Sequence, residues 1–264
     1  MAKMRFSDKE IEALIRGIEE GYITEWRLPV SYYNAVTEYL KKAVLQSFNT
    51  SIEAVSELDL PLLTQLLENT YMFGAAKTFQ QTKEISSLLV NQENGSIRSS
   101  REFNKLARET YDNWNNNWGV SEYNTAIAQA DCALKWQDIV ATKDVYPNVR
   151  YSAIGDACII CRPLDDLVLS IDDPLLDKIA PTNHFNCKCL LLKEDSDVKT
   201  TVNAHEVVAP VVDTMKAKGQ DIFLGNVGKT KQVFPASHPF FQVEPQYKEY
   251  ANNNFNLPIP EFAR

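Results

Sequence analysis

Cys158 and Cys161 form a C-x-x-C within "GDACIICRPLDD", a spacing at which a tight turn aims two sulfurs at one point. Cys187 and Cys189 form a C-x-C within "APTNHFNCKCLLL". Residues two apart on a strand share a face, so these two thiolates can converge as well. His184 stands three residues before Cys187 and is a fifth donor for a kind of site that takes four. The chemistry this implies is a closed, tetrahedral, structural zinc site of four cysteines, or of three cysteines and the histidine. The alternatives are buried free thiols and a redox pair, although this C-x-x-C does not open a helix in a thioredoxin-like setting.

The spacings speak against a catalytic metal. Zinc deaminases place H-x-E ahead of P-C-x-x-C, whereas His205-Glu206 follows the cysteines. No H-E-x-x-H occurs, and five protein donors imply no open coordination position. The chain is therefore expected not to be an enzyme. The rival reading is a metal-dependent hydrolase or nuclease-like toxin using His184 and nearby carboxylates. Asp165, Asp166, Asp172, Asp173 and Asp177 lack the pattern of a calcium loop and are expected to be solvated turn formers. "GNVGKT" (225–230) ends like a phosphate-binding loop, but Phe223 stands where the first glycine is required.

The elements that must position the cysteines are two short strands, expected at "NVRYSAI" and "CKCLLL". Between them runs a long irregular stretch that needs something to hold it. A structural zinc ion contributes about 10–16 kcal/mol in small peptides, enough to organise such a loop.

Upstream, the chain reads as helices. Ser7 and Glu10 form a capping-box pattern that opens a helix towards Gly21. Pro29 starts a second, with Val30, Tyr33, Val36, Leu40, Val44 and Phe48 on one face. Asp59 and Pro61 open a third, carrying Leu63, Leu66, Leu67 and Phe73. The polar stretch 91–100 reads as a loop and a domain boundary. Phe103, Ala107, Tyr111, Trp114 and Trp118 follow at helical steps, with Gly119 as the expected stop. An alanine-rich helix comes next, with Tyr123, Ile127, Ala130 and Leu134 on one side and Cys132 as a small apolar residue. A shorter helix is expected near 204–219, limited or kinked by Pro210. The fold class is α+β, mostly α-helical: an N-terminal helical region (1–95), a small zinc-stapled α+β module (96–195), and a C-terminal helix with an extended tail (196–264). In the tail, Phe234, His238, Phe240 and Phe241 either dock onto a partner or fold back on their own domain.

The formal net charge of −8 lacks the cationic surplus that counterion-release binding to DNA needs, so nucleic-acid contact is left open but not indicated. No apolar run reaches membrane-spanning length, and the charged N-terminus has no signal-peptide core. A reducing cytosol follows as the expected compartment, where cysteines at this spacing are ligands and not disulfides.

"GDACIIC", the loop, and "PTNHFNCKC", preceded by the "SEYNTAIAQA" helix, resemble the signature of the phage Mu protein F-like head morphogenesis family. The resemblance covers about residues 100–192. Ala180-Pro181 stands where the family commonly has Pro-Pro, and Lys188 where it has Arg; neither change removes a ligand. The resemblance implies a minor head protein of a tailed phage or prophage. It also implies association with portal or major capsid proteins, and a place in the host cytoplasm during assembly, with retention in the virion left open.

Overall fold

The computed structural model describes residues 4, 6–49, 51–154 and 158–262. The fold is α+β and mostly helical, with one three-stranded antiparallel sheet. Helices α1 (Asp8–Glu19), α2 (Val30–Phe48), α3 (Leu60–Ser87), α4 (Ser100–Asp112) and α5 (Gly119–Ala141) precede strands β1 (Asn148–Ser152) and β2 (Val168–Ser170). Then come α6 (Leu176–Ile179), β3 (Leu190–Glu194), α7 (Ala204–Ala217), α8 (Val227–Thr230) and α9 (Lys248–Asn252). Among the described residues no helix is long and apolar enough to cross a membrane.

Two compact units are drawn from separate pieces of chain. The first gathers Met1–Lys42, Thr70–Tyr123 and Ser237–Glu261; the second gathers Ala43–Asn69, Asn124–Ala236 and Phe262–Arg264. This differs from the segmentation 1–95, 96–195 and 196–264. The polar stretch 91–100 lies inside the first unit, as a turn in which Val90 bridges Ile97 and Arg98 donates to the carbonyls of Leu88 and Val90.

In the first unit, the Ser7 hydroxyl accepts from the Glu10 N–H while the Glu10 carboxylate accepts from the Ser7 N–H, so the capping box forms and starts α1. Ile15, Tyr33, Phe73, Phe79 and Phe103 are fully buried. Val30, placed by periodicity on the inner face of α2, is half exposed. Gly119 does not stop the helix. Residues Asn113–Trp118 form a π-helical segment, and Gly119 continues it at helical angles (φ −56°, ψ −35°) into α5. The wider turn presents the Trp114 carbonyl to the Lys77 ammonium at 3.0 Å, and that ammonium also meets Glu122 at 2.5 Å. Burial lowers the pKa of Lys77 and raises that of Glu122, each opposed by the other's charge.

The second unit is built on the sheet, in the order β2-β1-β3, with Val149 opposite Leu169 and Lys193, and Tyr151 opposite Leu191. Alternation along β1 turns Val149 and Tyr151 inward, each 1% exposed. They join a core with Trp136, Leu164, Met215 and Phe223. Within this unit α5 buries Ala126, Ala130 and Ala133, while Ile127 and Leu134 stay only partly covered. The inward stripe is thus rotated from the expected one, because small residues allow the closest approach. Helix α7 passes through Pro210, where the Thr214 hydroxyl bonds the Pro210 carbonyl. Strand β2 was not legible as a separate element in the Asp-rich loop.

The C-terminal stretch is folded, with several single turns and α9, and is not an extended tail. In the second unit Phe234 is 1% exposed, and its backbone N–H and carbonyl both bond the Asn69 side chain. In the first unit His238 packs edge-on against Phe73 at 5.0 Å, Phe240 stacks on Trp114 at 4.8 Å, and Phe241 meets Phe73 at 6.1 Å. These four residues pack on their own chain, Phe234 and His238 buried and Phe240 and Phe241 partly covered, as the fold-back alternative expects.

Candidate metal centre

Two turns bring the donors together in the second unit. The first begins at Cys158, whose carbonyl accepts from the Arg162 N–H, and continues with the Leu164 N–H on the Cys161 carbonyl. Gly155, Asp156 and Ala157 of the first motif lie outside the described residues. In the second turn, the Cys187 N–H bonds the His184 carbonyl at 3.1 Å and Asn186 takes a left-handed conformation (φ 60°). Helix α5 fixes that turn: the Asn124 amide donates to Asn186 Oδ1 at 2.9 Å, and the Asn186 N–H reaches the Thr125 hydroxyl. Cys187 and Cys189 precede β3 instead of lying on it. Their convergence therefore comes from the turn and not from strand alternation.

All five expected ligands take part. Cys158, Cys161 and His184 have donor atoms within 4.8 Å of one another, and so do Cys161, Cys187 and Cys189, so Cys161 is common to both groups. The Cys161 and Cys187 sulfurs are 3.8 Å apart. Two sulfurs bound to one tetrahedral zinc at about 2.3 Å would stand roughly 3.8 Å apart. Cys161, Cys187 and Cys189 are buried, whereas Cys158 and His184 are partly covered.

His184 is oriented for coordination. Its Nδ1 lies 2.8 Å from the Phe185 carbonyl, which can only accept, so Nδ1 carries the proton. Nε2 then presents its lone pair to the cluster, 3.2 Å from the Cys158 sulfur. This is the arrangement by which histidine ligands are held to metals.

The thiols divide in their acidity. Cys187 is pulled down by the hydrogen bonds of Cys161 and then Cys189, against the opposing effect of burial. Cys161 is pushed far up, first by Cys187. Cys189 is raised, since Cys187 and burial outweigh the Cys161 hydrogen bond. Cys158 is lowered: burial opposes this, but the backbone amides of Cys161 and Ile160 prevail. A cluster whose donors are cysteine sulfurs and an imidazole suits a thiophilic cation, not a hard oxygen-seeking one.

No carboxylate belongs to either donor group among the described residues. The loop aspartates are engaged elsewhere: Asp165 accepts from the Ala153 N–H, Asp173 from the Leu175 N–H, and Asp166, Asp172 and Asp177 pair with Arg150, Lys143 and Lys229. At the other declined motif, Gly228 lies in α8 against Trp136: a β-carbon there would fall 2.2 Å from the Trp136 β-carbon. Packing accounts for that glycine without a phosphate.

Sequence reasoning missed Tyr151, which shares a buried core with Cys161, Cys187 and Cys189, and Asn183, whose amide donates to the Tyr151 hydroxyl. The alternating pattern of "NVRYS" could have placed Tyr151 on the inner face. Asn183 carried no signal beyond its place next to His184.

Comparison with protein-family models, with curated proteins and with solved structures finds no match to this chain.

Proposed function

We propose that this chain is a noncatalytic minor head protein of a tailed phage or prophage, associated with the portal and with head assembly. Its cysteine-bearing module would be held by a structural zinc ion. The observation that carries the reading is the convergence of Cys158, Cys161, His184, Cys187 and Cys189, the residues on which the family resemblance rests. Four of these five would hold the ion, which would supply tetrahedral cross-linking of the two turns and no reactive position. The residues fit that role: their donors are soft, three of the sulfurs are buried, and the imidazole is fixed by the Phe185 carbonyl.

The hydrolase reading finds less support, since a hydrolytic metal site needs an open position and a nearby base. Among the described residues both donor groups consist only of cysteine and histidine.

Co-expression with portal and major capsid proteins of a tailed phage tests the assembly role. The chain should co-purify with the portal or sediment with assembled heads. Its absence from both, or metal-dependent hydrolysis abolished by His184→Ala in a folded protein, would overturn the reading.

A further inference from the structure

We infer that the five donors also form a site for two copper(I) ions side by side. Cys161, Cys187 and Cys189 hold one ion, Cys158, Cys161 and His184 hold the other, and the Cys161 sulfur is shared between them. The inference rests on the same convergence of donors as the zinc reading, and it assigns the site a second ligand, different in kind and in number.

The donors gather as two sets of three and not as one set of four. Within each set the donor atoms lie within 4.8 Å of one another, and Cys161 is the member common to both. Three donors about 2.3 Å from an ion, surrounding it in a plane, stand roughly 4 Å apart. The Cys161 and Cys187 sulfurs, 3.8 Å apart, meet that spacing as well as the tetrahedral one. In the other set, His184 Nε2 and the Cys158 sulfur are 3.2 Å apart. A single zinc ion needs a fourth donor and must draw it from the neighbouring set, whereas ions content with three donors use the sets as they stand. Two zinc ions, each four-coordinate, would ask more contacts than five donors with one shared can give.

Copper(I) is the ion whose chemistry fits such sets. It is soft, is selected by thiolate donors, and is satisfied by three of them because its filled d shell imposes no fourth. A thiolate sulfur keeps lone pairs beyond its first metal bond, so Cys161 can serve both ions. Charge agrees as well: two copper(I) ions carry the same total charge as one zinc ion, so the same four thiolates balance either load. Cys161, Cys187 and Cys189 are 0%, 2% and 4% exposed and share an apolar core with Ile160, Leu164 and Ile179, which keeps water from a further coordination position. Cys158 and His184 are partly covered, so theirs is the set that solvent reaches and by which ions enter. With Nδ1 tied to the Phe185 carbonyl, His184 has Nε2 free for the ion.

Anaerobic titration of the full chain with copper(I), in competition with a chromophoric copper(I) chelator, tests this. The wild type should take up two copper(I) ions per chain, one for each set, and release any zinc it holds. Under the same competition Cys161→Ser should lose both ions and His184→Ala should keep one. Cys132→Ser, outside both sets, should keep both. Uptake of a single ion by the wild type would overturn the inference and leave a one-ion clasp standing. A folded wild type that takes up no copper(I) would overturn it as well. Two ions retained by Cys161→Ser, or an ion lost from Cys132→Ser, would place the copper elsewhere and refute the shared sulfur. The stoichiometry is read on the wild type, so a variant that fails to fold does not leave the question open. The zinc clasp is judged separately by the metal content of the purified protein, so the two readings fail on different results.

Discussion

His184 Nε2 stands 3.2 Å from the sulfur of Cys158, with the opposite ring nitrogen tied to the Phe185 carbonyl. The imidazole is therefore aimed at the cluster. If it is a ligand, His184→Ala should weaken zinc binding by at least the roughly 10–100-fold that loss of an outer-shell partner costs. Competition with a chromophoric chelator measures this. Unchanged affinity would make Cys158, Cys161, Cys187 and Cys189 the complete ligand set.

Lys77 and Glu122 form an ion pair inside the first unit, with side chains 0% and 5% exposed. Lys77→Met leaves the Glu122 carboxylate buried and unpaired, and should cost about 3–5 kcal/mol in denaturant unfolding. Replacing both residues by apolar side chains should recover much of that loss. If the double replacement is worse than either single one, the pair is not the organising contact of this core.

His238 is pulled down from its ordinary value to about 4, by burial first and by the Lys77 charge second. Above pH 6.5 it is neutral in both the folded and unfolded states and contributes no pH dependence. As the pH falls from 6.5 towards 4, the unfolded chain takes up a proton that the folded chain refuses, so stability declines. At about 1.4 kcal/mol per pH unit the loss amounts to about 3 kcal/mol. His238→Asn can still accept from the Phe240 N–H, and its unfolding free energy should fall less steeply over that window. Parallel slopes for the two proteins would refute the assignment.

Gly228 has no room for a side chain, with Trp136 against it. Gly228→Ala should destabilise the second unit by about 1–3 kcal/mol through overpacking, read from thermal melting. A neutral outcome would mean that Trp136 can move aside.

The sequence made legible what is local and periodic. The Ser7–Glu10 capping box, the buried face of α3 around Leu66 and Leu67, and the strand at 148–152 all follow from chemistry within a few residues. The donor spacings likewise named residues that the fold brings together. What was hidden depends on contacts distant in the chain. Gly119 looks like a helix stop, but Lys77 and Glu122 stabilise the π-helical turn that carries the helix past it. The aromatic tail has no periodicity, because the shape of Phe73 and Trp114 orders Phe240 and Phe241, not a repeat of their own. Asn183 is an unremarkable loop residue until Ile179 and Tyr151 fix its amide.

The most direct measurement is the metal content of protein purified without added zinc, determined by elemental mass spectrometry on the wild type and on Cys187→Ser. A structural clasp requires about one zinc per chain in the wild type, retained through dialysis, with the variant depleted and its second unit less stable. Wild-type protein that is folded and holds no tightly bound ion would contradict it.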